Sequence, residues 1–132
     1  MTRYYCPQCW HDFAEDYEIC PDCGFNIKEF YSTNDYIDKL MQALNSPEPS
    51  TPLRAAMVLG KLKDTRAVQP LMDCVKNNND VYIVLEAIRA LGNIGTLNVM
   101  MFLRDLHDHP SKMIRDEVQT ILDRIYDELQ HK

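Results

Sequence analysis

The sequence predicts a mainly α-helical chain: three stacked helix pairs in a short solenoid, six helices in all, preceded by a small four-cysteine metal module. Three observations carry that prediction. The stretch Arg54–Leu71 returns in degenerate form farther along the chain, so that Ala55, Leu59, Gly60 and Leu62 correspond to Ala87, Leu91, Gly92 and Ile94. A third copy, at almost the same interval, puts Val118, Leu122, Asp123 and Ile125 in those slots, and a nearly fixed period of this size marks stacked helix pairs. Cys6-Pro-Gln-Cys9 and Cys20-Pro-Asp-Cys23 have the spacing of a metal site. Finally, 132 residues with 45% apolar and 26% charged composition suit a small module joined to a short array.

Residues 1–30 form the metal module. Two Cys-x-x-Cys turns each present two sulfurs to one point, and Zn²⁺ binds four thiolates tetrahedrally. Two intervening residues let backbone N–H groups turn toward the sulfurs. Pro7 and Pro21 fix φ after the leading cysteines, and Gly24 suits a left-handed position. The segment between the hooks, Trp10–Ile19, reads as a hairpin-like excursion. Cys20-Pro-Asp-Cys23-Gly24 resembles the second knuckle of the short prokaryotic zinc-ribbon family. Cys6-Pro-Gln-Cys9 resembles the first, with Trp10 where that family usually has glycine. The resemblance implies structural zinc on Cys6, Cys9, Cys20 and Cys23. Iron is the alternative metal, as in rubredoxins, whose hooks lie farther apart. Four sulfurs leave the ion no open position for substrate. Aromatic residues crowd this end of the chain, from Tyr4 and Tyr5 to Phe30 and Tyr31. They either dock the module on the first helix pair or, in the case of Trp10, meet a partner.

Residues 33–130 form the array, with helix pairs over about 34–62, 65–94 and 96–129. Ser32-Thr33-Asn34-Asp35 supplies the N-cap of a first helix whose apolar positions are Tyr36, Ile37, Leu40, Met41 and Leu44. Thr51-Pro52 opens the second helix, with proline at a tolerated position. Asp64-Thr65 caps the third, which Pro70 bends. Asp80 precedes the fourth, Val81–Ile94. Gly95-Thr96 starts the fifth, and the sixth carries Ile114, Val118, Ile121, Leu122, Ile125 and Leu129 on one stripe, its other face polar as a terminal cap requires. Gly60 and Gly92 mark close approach of a following helix. Arg54-Ala-Ala-x-x-Leu-Gly-x-Leu with Asp64-x-Arg66-Ala67-Val68-x-Pro70-Leu71 resembles the short HEAT repeats of the phycobilisome-lyase type. That resemblance implies antiparallel helix pairs whose second helices line a concave, partner-binding face, without catalysis.

At 100° per residue, Ile83, Val84, Ala87, Leu91 and Ile94 share one side of the fourth helix, with Tyr82, Leu85 and Arg89 opposite. Aligning the repeats adds Leu53, Met57 and Met113 to a predicted concave stripe, with Asp116 beside Arg89. Apolar side chains facing solvent mean contact. The alternative is that curvature packs the stripe on itself or makes Val81–Ile94 a core helix.

Net charge is −6, and residues 1–30 alone balance at −4. Phosphate-backbone binding needs clustered Lys and Arg, which the metal module lacks. The start of the chain has no apolar segment of signal-peptide length and no run approaches a membrane span. Cysteine usage suits a reducing, cytoplasmic setting. No Gly-rich phosphate loop or nucleophile elbow occurs. His107 and His109 read as a solvated turn, and Cys74 as a small buried residue. The expectation is a non-catalytic, zinc-bearing protein-interaction adaptor, monomeric or homodimeric, with a protein partner and no nucleic acid. A rubredoxin-like redox module, an accessory subunit of a lyase and a nucleic-acid-associated zinc ribbon are the alternatives.

Overall fold

A computed structural model describes residues 4–130, so Arg3 and the first positions of the metal module lie outside the described residues. The chain runs β1 (Tyr4–Tyr5), β2 (Asp12–Phe13), α1 (Ile27–Thr33), α2 (Tyr36–Ala43), α3 (Ser50–Leu62), a 3-10 turn (Thr65–Ala67), α4 (Val68–Asn77), α5 (Val81–Ile94), α6 (Leu97–Arg104) and α7 (Lys112–Gln130). Helices α2 to α7 are the six that the repeat predicts. They form the pairs α2/α3, α4/α5 and α6/α7, and the second helices stack, α3 on α5 and α5 on α7.

Local signals set the boundaries. Asp35 and Asp38 make a reciprocal capping box at the start of α2. Asp80 accepts from the Tyr82 N–H at the start of α5. Gly95 closes α5 at a φ of +66° rather than opening the next helix, and Thr96 takes the N-cap position of α6 without a side-chain capping bond. Pro52 falls in the first turn of α3, which begins at Ser50. Pro70 lies in the first turn of α4, where its missing N–H has no intrahelical partner to lose. The 3-10 turn before it absorbs the direction change expected of the proline. Helix α1 is not among the six expected. Asn26 accepts from the Glu29 N–H at 3.0 Å, so the N-x-x-E signal of a helix start stands in the sequence.

Helix α5 is the centre of the core. It packs against α3, α4, α6 and α7, and Ile83, Val84, Leu85, Ala87, Ile88, Ala90, Leu91 and Gly92 are all buried. The two repeat glycines explain how closely the stack closes. A Cβ on Gly60 would stand 2.8 Å from the Ala90 Cα, and one on Gly92 would stand 2.7 Å from the Ile121 Cγ2. Gly60 and Gly92 therefore hold the α3–α5 and α5–α7 contacts, while Asp123, third in the series, is exposed.

Polar ties brace the array. Arg66 spans from Asp64, at 3.0 Å, to Asp35 on the neighbouring pair, at 2.9 Å. The Asp64-x-Arg66 piece of the repeat is thus a cap joined to a bridge between helix starts. Arg124 on α7 donates to the Gly92 carbonyl at 3.2 Å, a part-buried bond to one of the last carbonyls of α5. No helix among the described residues is long and apolar enough to cross a membrane.

Candidate metal centre and partner-facing surface

The two cysteine hooks are built alike. Strands β1 and β2 pair antiparallel around the first, and an isolated Ile19–Asn26 bridge frames the second. The strand pairing therefore encloses each hook, instead of filling the segment between them. In the first, the Gln8 and Cys9 N–H groups point at the Cys6 Sγ at 3.4 and 3.5 Å. In the second, the Cys23 N–H points at the Cys20 Sγ at 3.4 Å. Each hook closes with the same backbone bond, Trp10 N–H to the Cys6 carbonyl and Gly24 N–H to the Cys20 carbonyl. Each then needs a left-handed residue. Gly24 supplies it at φ +79°, and Trp10 adopts it at φ +66° despite its side chain. Left-handed backbone costs an L residue about 1–2 kcal/mol, so the first hook keeps its geometry against the preference of Trp10.

The four sulfurs lie within 4.8 Å of one another. Cys6 and Cys23 approach to 3.6 Å, as do Cys9 and Cys20. Sulfurs about 2.3 Å from a central tetrahedral ion would be about 3.8 Å apart. The two closest pairs come near that separation, and all four sulfurs are close enough together to share one ion. The electrostatics agree. Burial opposes ionisation of Cys20, but N–H donation from Cys23 and Asp22 and the neighbouring thiols bring it down to about 7. At Cys9 the backbone bond at His11 favours the thiolate, yet burial and the other three thiols push it up to about 12. Four sulfurs this close cannot all carry charge unaided, and a cation at their centre removes the conflict. Cys6 and Cys20 are buried with Phe13 and Ile27 around them. His11 is not a fifth ligand candidate: its Nδ1 meets the Asp22 carboxylate at 2.6 Å, clasping one hook to the other from outside.

The module is fastened to the array. The Gln42 amide on α2 donates to the Pro7 carbonyl, and Pro7 itself is fully buried. Trp10 is half-buried, and its indole N–H is enclosed without a partner among the described residues. The indole nitrogen is therefore turned into the fold, while part of the residue stays exposed.

On the array, the predicted stripe divides. Met57, Tyr82 and Met113 remain exposed, at 43%, 64% and 48%. Leu53 is half-buried. Leu85, expected to face outward with Tyr82, is 5% exposed and belongs to the core, because α5 is enclosed on most sides by four other helices. Arg89 is committed within the fold, to Glu86 at 2.9 Å and to Glu117 of α7 at 3.0 Å. Asp116 pairs with Lys112. The structure also displays an apolar group that the repeat pattern does not reveal. Leu97 and Met101 on α6 are 73% and 60% exposed, and Leu129, expected on the buried stripe of α7, is 57% exposed. Helix α7 runs past its support, since α6 has only 8 residues against its 19. His107 bonds the Arg104 carbonyl, and His109 accepts from the Ser111 N–H, so both serve the turn. Cys74 is half-buried, and burial pushes its thiol up, away from nucleophilic character.

A family model for HEAT repeats matches residues 37–126. The chain belongs to the HEAT-repeat family. The match begins in α2 and ends in α7, so the HEAT repeats are the three helix pairs and the cysteine module precedes them. Comparison with curated proteins gives no match. A HEAT array stacks its repeats into an extended surface suited to protein contact.

Proposed function

We propose that the chain is a non-catalytic adaptor, in which a structural Zn²⁺ holds the four-cysteine module and the HEAT array binds a protein partner. The observation that carries the second part is that each second helix exposes a large apolar side chain of the predicted stripe: Met57 on α3, Tyr82 on α5 and Met113 on α7. Large apolar side chains repeated on the same helix of successive repeats suit a partner that lies across the array. The short repeats resemble the phycobilisome-lyase type, which supports binding rather than catalysis. Zinc is favoured over iron by the short spacing between the hooks, and a closed tetrathiolate suits structure over redox or hydrolytic chemistry.

Two experiments test this reading. Metal analysis of protein purified from its native cell is expected to give one zinc per chain, and a red, iron-loaded protein would overturn the assignment. Affinity capture from native extract is expected to retain a protein on the wild type that Met57→Ala/Tyr82→Ala loses with its far-UV spectrum intact. Equal retention by both would remove these side chains from the binding surface.

A further inference from the structure

Half of the aromatic side chains that precede Ser32 are packed: the Trp10 indole N–H is enclosed, and the three phenylalanines line the module and its junction with the array. Phe13 and Phe25 pack around the cysteines, and Phe30 lines a groove with α2 and α4. Four tyrosines remain. Tyr4, Tyr5, Tyr17 and Tyr31 converge on a cleft of about 760 Å³ between the first hairpin and α1. They are 36%, 47%, 38% and 46% exposed, and their hydroxyls have no hydrogen-bond partner among the described residues. Four partly exposed tyrosines gathered on one cleft, their hydroxyls unbonded, form a surface suited to contact.

The rings are held in place. Tyr17 stands edge-on to buried Phe13, with centroids 5.3 Å apart and planes at 82°. Tyr31 stands edge-on to Phe30 at 5.2 Å and 79°. Tyr4 and Tyr5 are β1 itself, paired with Asp12 and Phe13. One of these rings already carries a cation: the Lys39 ammonium lies 5.6 Å from the Tyr31 centroid. The charge around the cleft has the matching sign. Asp16 and Glu18 line it, and neither carboxylate has an ion pair among the described residues. Lys28 is the cation among the described lining residues, and the metal module as a whole is acidic.

We propose that this cleft binds a basic peptide segment, laying Arg or Lys side chains on the tyrosine rings and pairing them with Asp16 and Glu18. Cation–π attraction and ion pairing act on the same side chain here, and Arg offers the flat guanidinium that stacks best. The open cleft is large enough for more than one side chain, which suits a peptide better than a single small cation. The site is separate from Met57, Tyr82 and Met113 and does not depend on them.

The test uses the zinc-loaded full-length protein and a fluorescein-labelled peptide alternating glycine and arginine, followed by anisotropy. A second peptide carries citrulline, the neutral isostere, at each arginine. The citrulline peptide is expected to bind at least about tenfold more weakly, and Tyr17→Leu and Tyr31→Leu to weaken arginine binding about two- to fivefold each. Asp16→Asn/Glu18→Gln should weaken it further and flatten its salt dependence. Tyr126→Ala, at the far end of α7, should leave it unchanged. Equal affinity for both peptides, or no affinity for either, overturns the proposal. So does binding that the carboxylate variants reduce and the tyrosine variants do not, since bare charge attraction then suffices. Amide shifts of the wild type provide a check independent of variant folding: Tyr5, Asp16 and Lys28 must move on peptide addition, and shifts confined to α3 and α5 would sink the idea.

Discussion

Replacing Gly60 with alanine pits helix propensity against packing, and the geometry says which wins. In an open helix this change is stabilising by about 1 kcal/mol. Here the new Cβ would stand 2.8 Å from the Ala90 Cα, 3.0 Å from its Cβ and 3.3 Å from the Asn93 Nδ2. Comfortable carbon contacts begin near about 3.5 Å, so α3 and α5 must part by roughly 0.7 Å at this point. Helix α5 has little freedom to yield, because α4, α6 and α7 also pack on it. Overpacking a close-packed core by one methyl costs about 1–3 kcal/mol, and with the propensity gain deducted the net loss reaches up to about 2 kcal/mol. Urea unfolding of metal-loaded Gly60→Ala, followed by far-UV circular dichroism, should show this loss at unchanged m. Ala90→Gly should rescue little, since the nearest atom is backbone. Gly92→Ala differs, for all three of its close neighbours are Ile121 side-chain atoms. Its double-mutant cycle with Ile121→Ala should therefore show a coupling of about 1 kcal/mol or more. A Gly60→Ala protein as stable as wild type, or more stable, would refute the claim that glycine sets the helix spacing.

Three further outcomes follow from the packing and charge. Leu85→Asp buries a carboxylate in the α5 core and should cost about 4 kcal/mol or more, whereas Tyr82→Asp should melt within a few degrees of wild type; a folded, cooperative Leu85→Asp protein would return that residue to the surface. Lys63 closes α3 at a left-handed φ of +55°, so Lys63→Gly should stabilise by about 0.5–1 kcal/mol once the greater freedom of unfolded glycine is deducted, and a lower melting temperature would contradict it. Side-chain and backbone bonds from Arg66 lower the Asp64 pKa, and the Asp38 N–H followed by Arg66 lowers that of Asp35. Depressed carboxyl values mean stability present above about pH 4 and lost as pH falls through the folded values. The melting advantage of wild type over Asp64→Asn, which keeps the cap, should accordingly shrink from pH 6 to pH 2, and a pH-independent difference would show that the charge is idle.

Much of the fold is legible in the sequence because repeats advertise it. Ala55, Leu59 and Gly60 recur as Ala87, Leu91 and Gly92 since each repeat must present the same small or apolar atoms to its neighbour. The metal site is legible for a related reason: a Cys-x-x-Cys turn brings its sulfurs together locally, before any tertiary contact forms. Helix α1 is harder to see although Asn26-x-x-Glu29 announces it, because so short a segment between a metal hook and a cap looks like linker. Leu85 misleads because its slot in the repeat is outward-facing, half-buried at Leu53 and exposed at Asp116. Periodicity assigns one face to a helix, and only α5 has neighbours on nearly every side.

The sequence by itself determined the four-cysteine cluster Cys6, Cys9, Cys20 and Cys23, the three helix pairs and the glycines between them, all properties of local spacing. Tertiary structure alone decided which outward residues are free. It put Leu85 in the core, tied Arg89 to Glu86 and Glu117, enclosed the Trp10 indole N–H, and gathered Tyr4, Tyr5, Tyr17 and Tyr31 around one acidic cleft. Exposure depends on neighbours distant in the chain, and the interval between repeats says that two helices stack without saying what else crowds them.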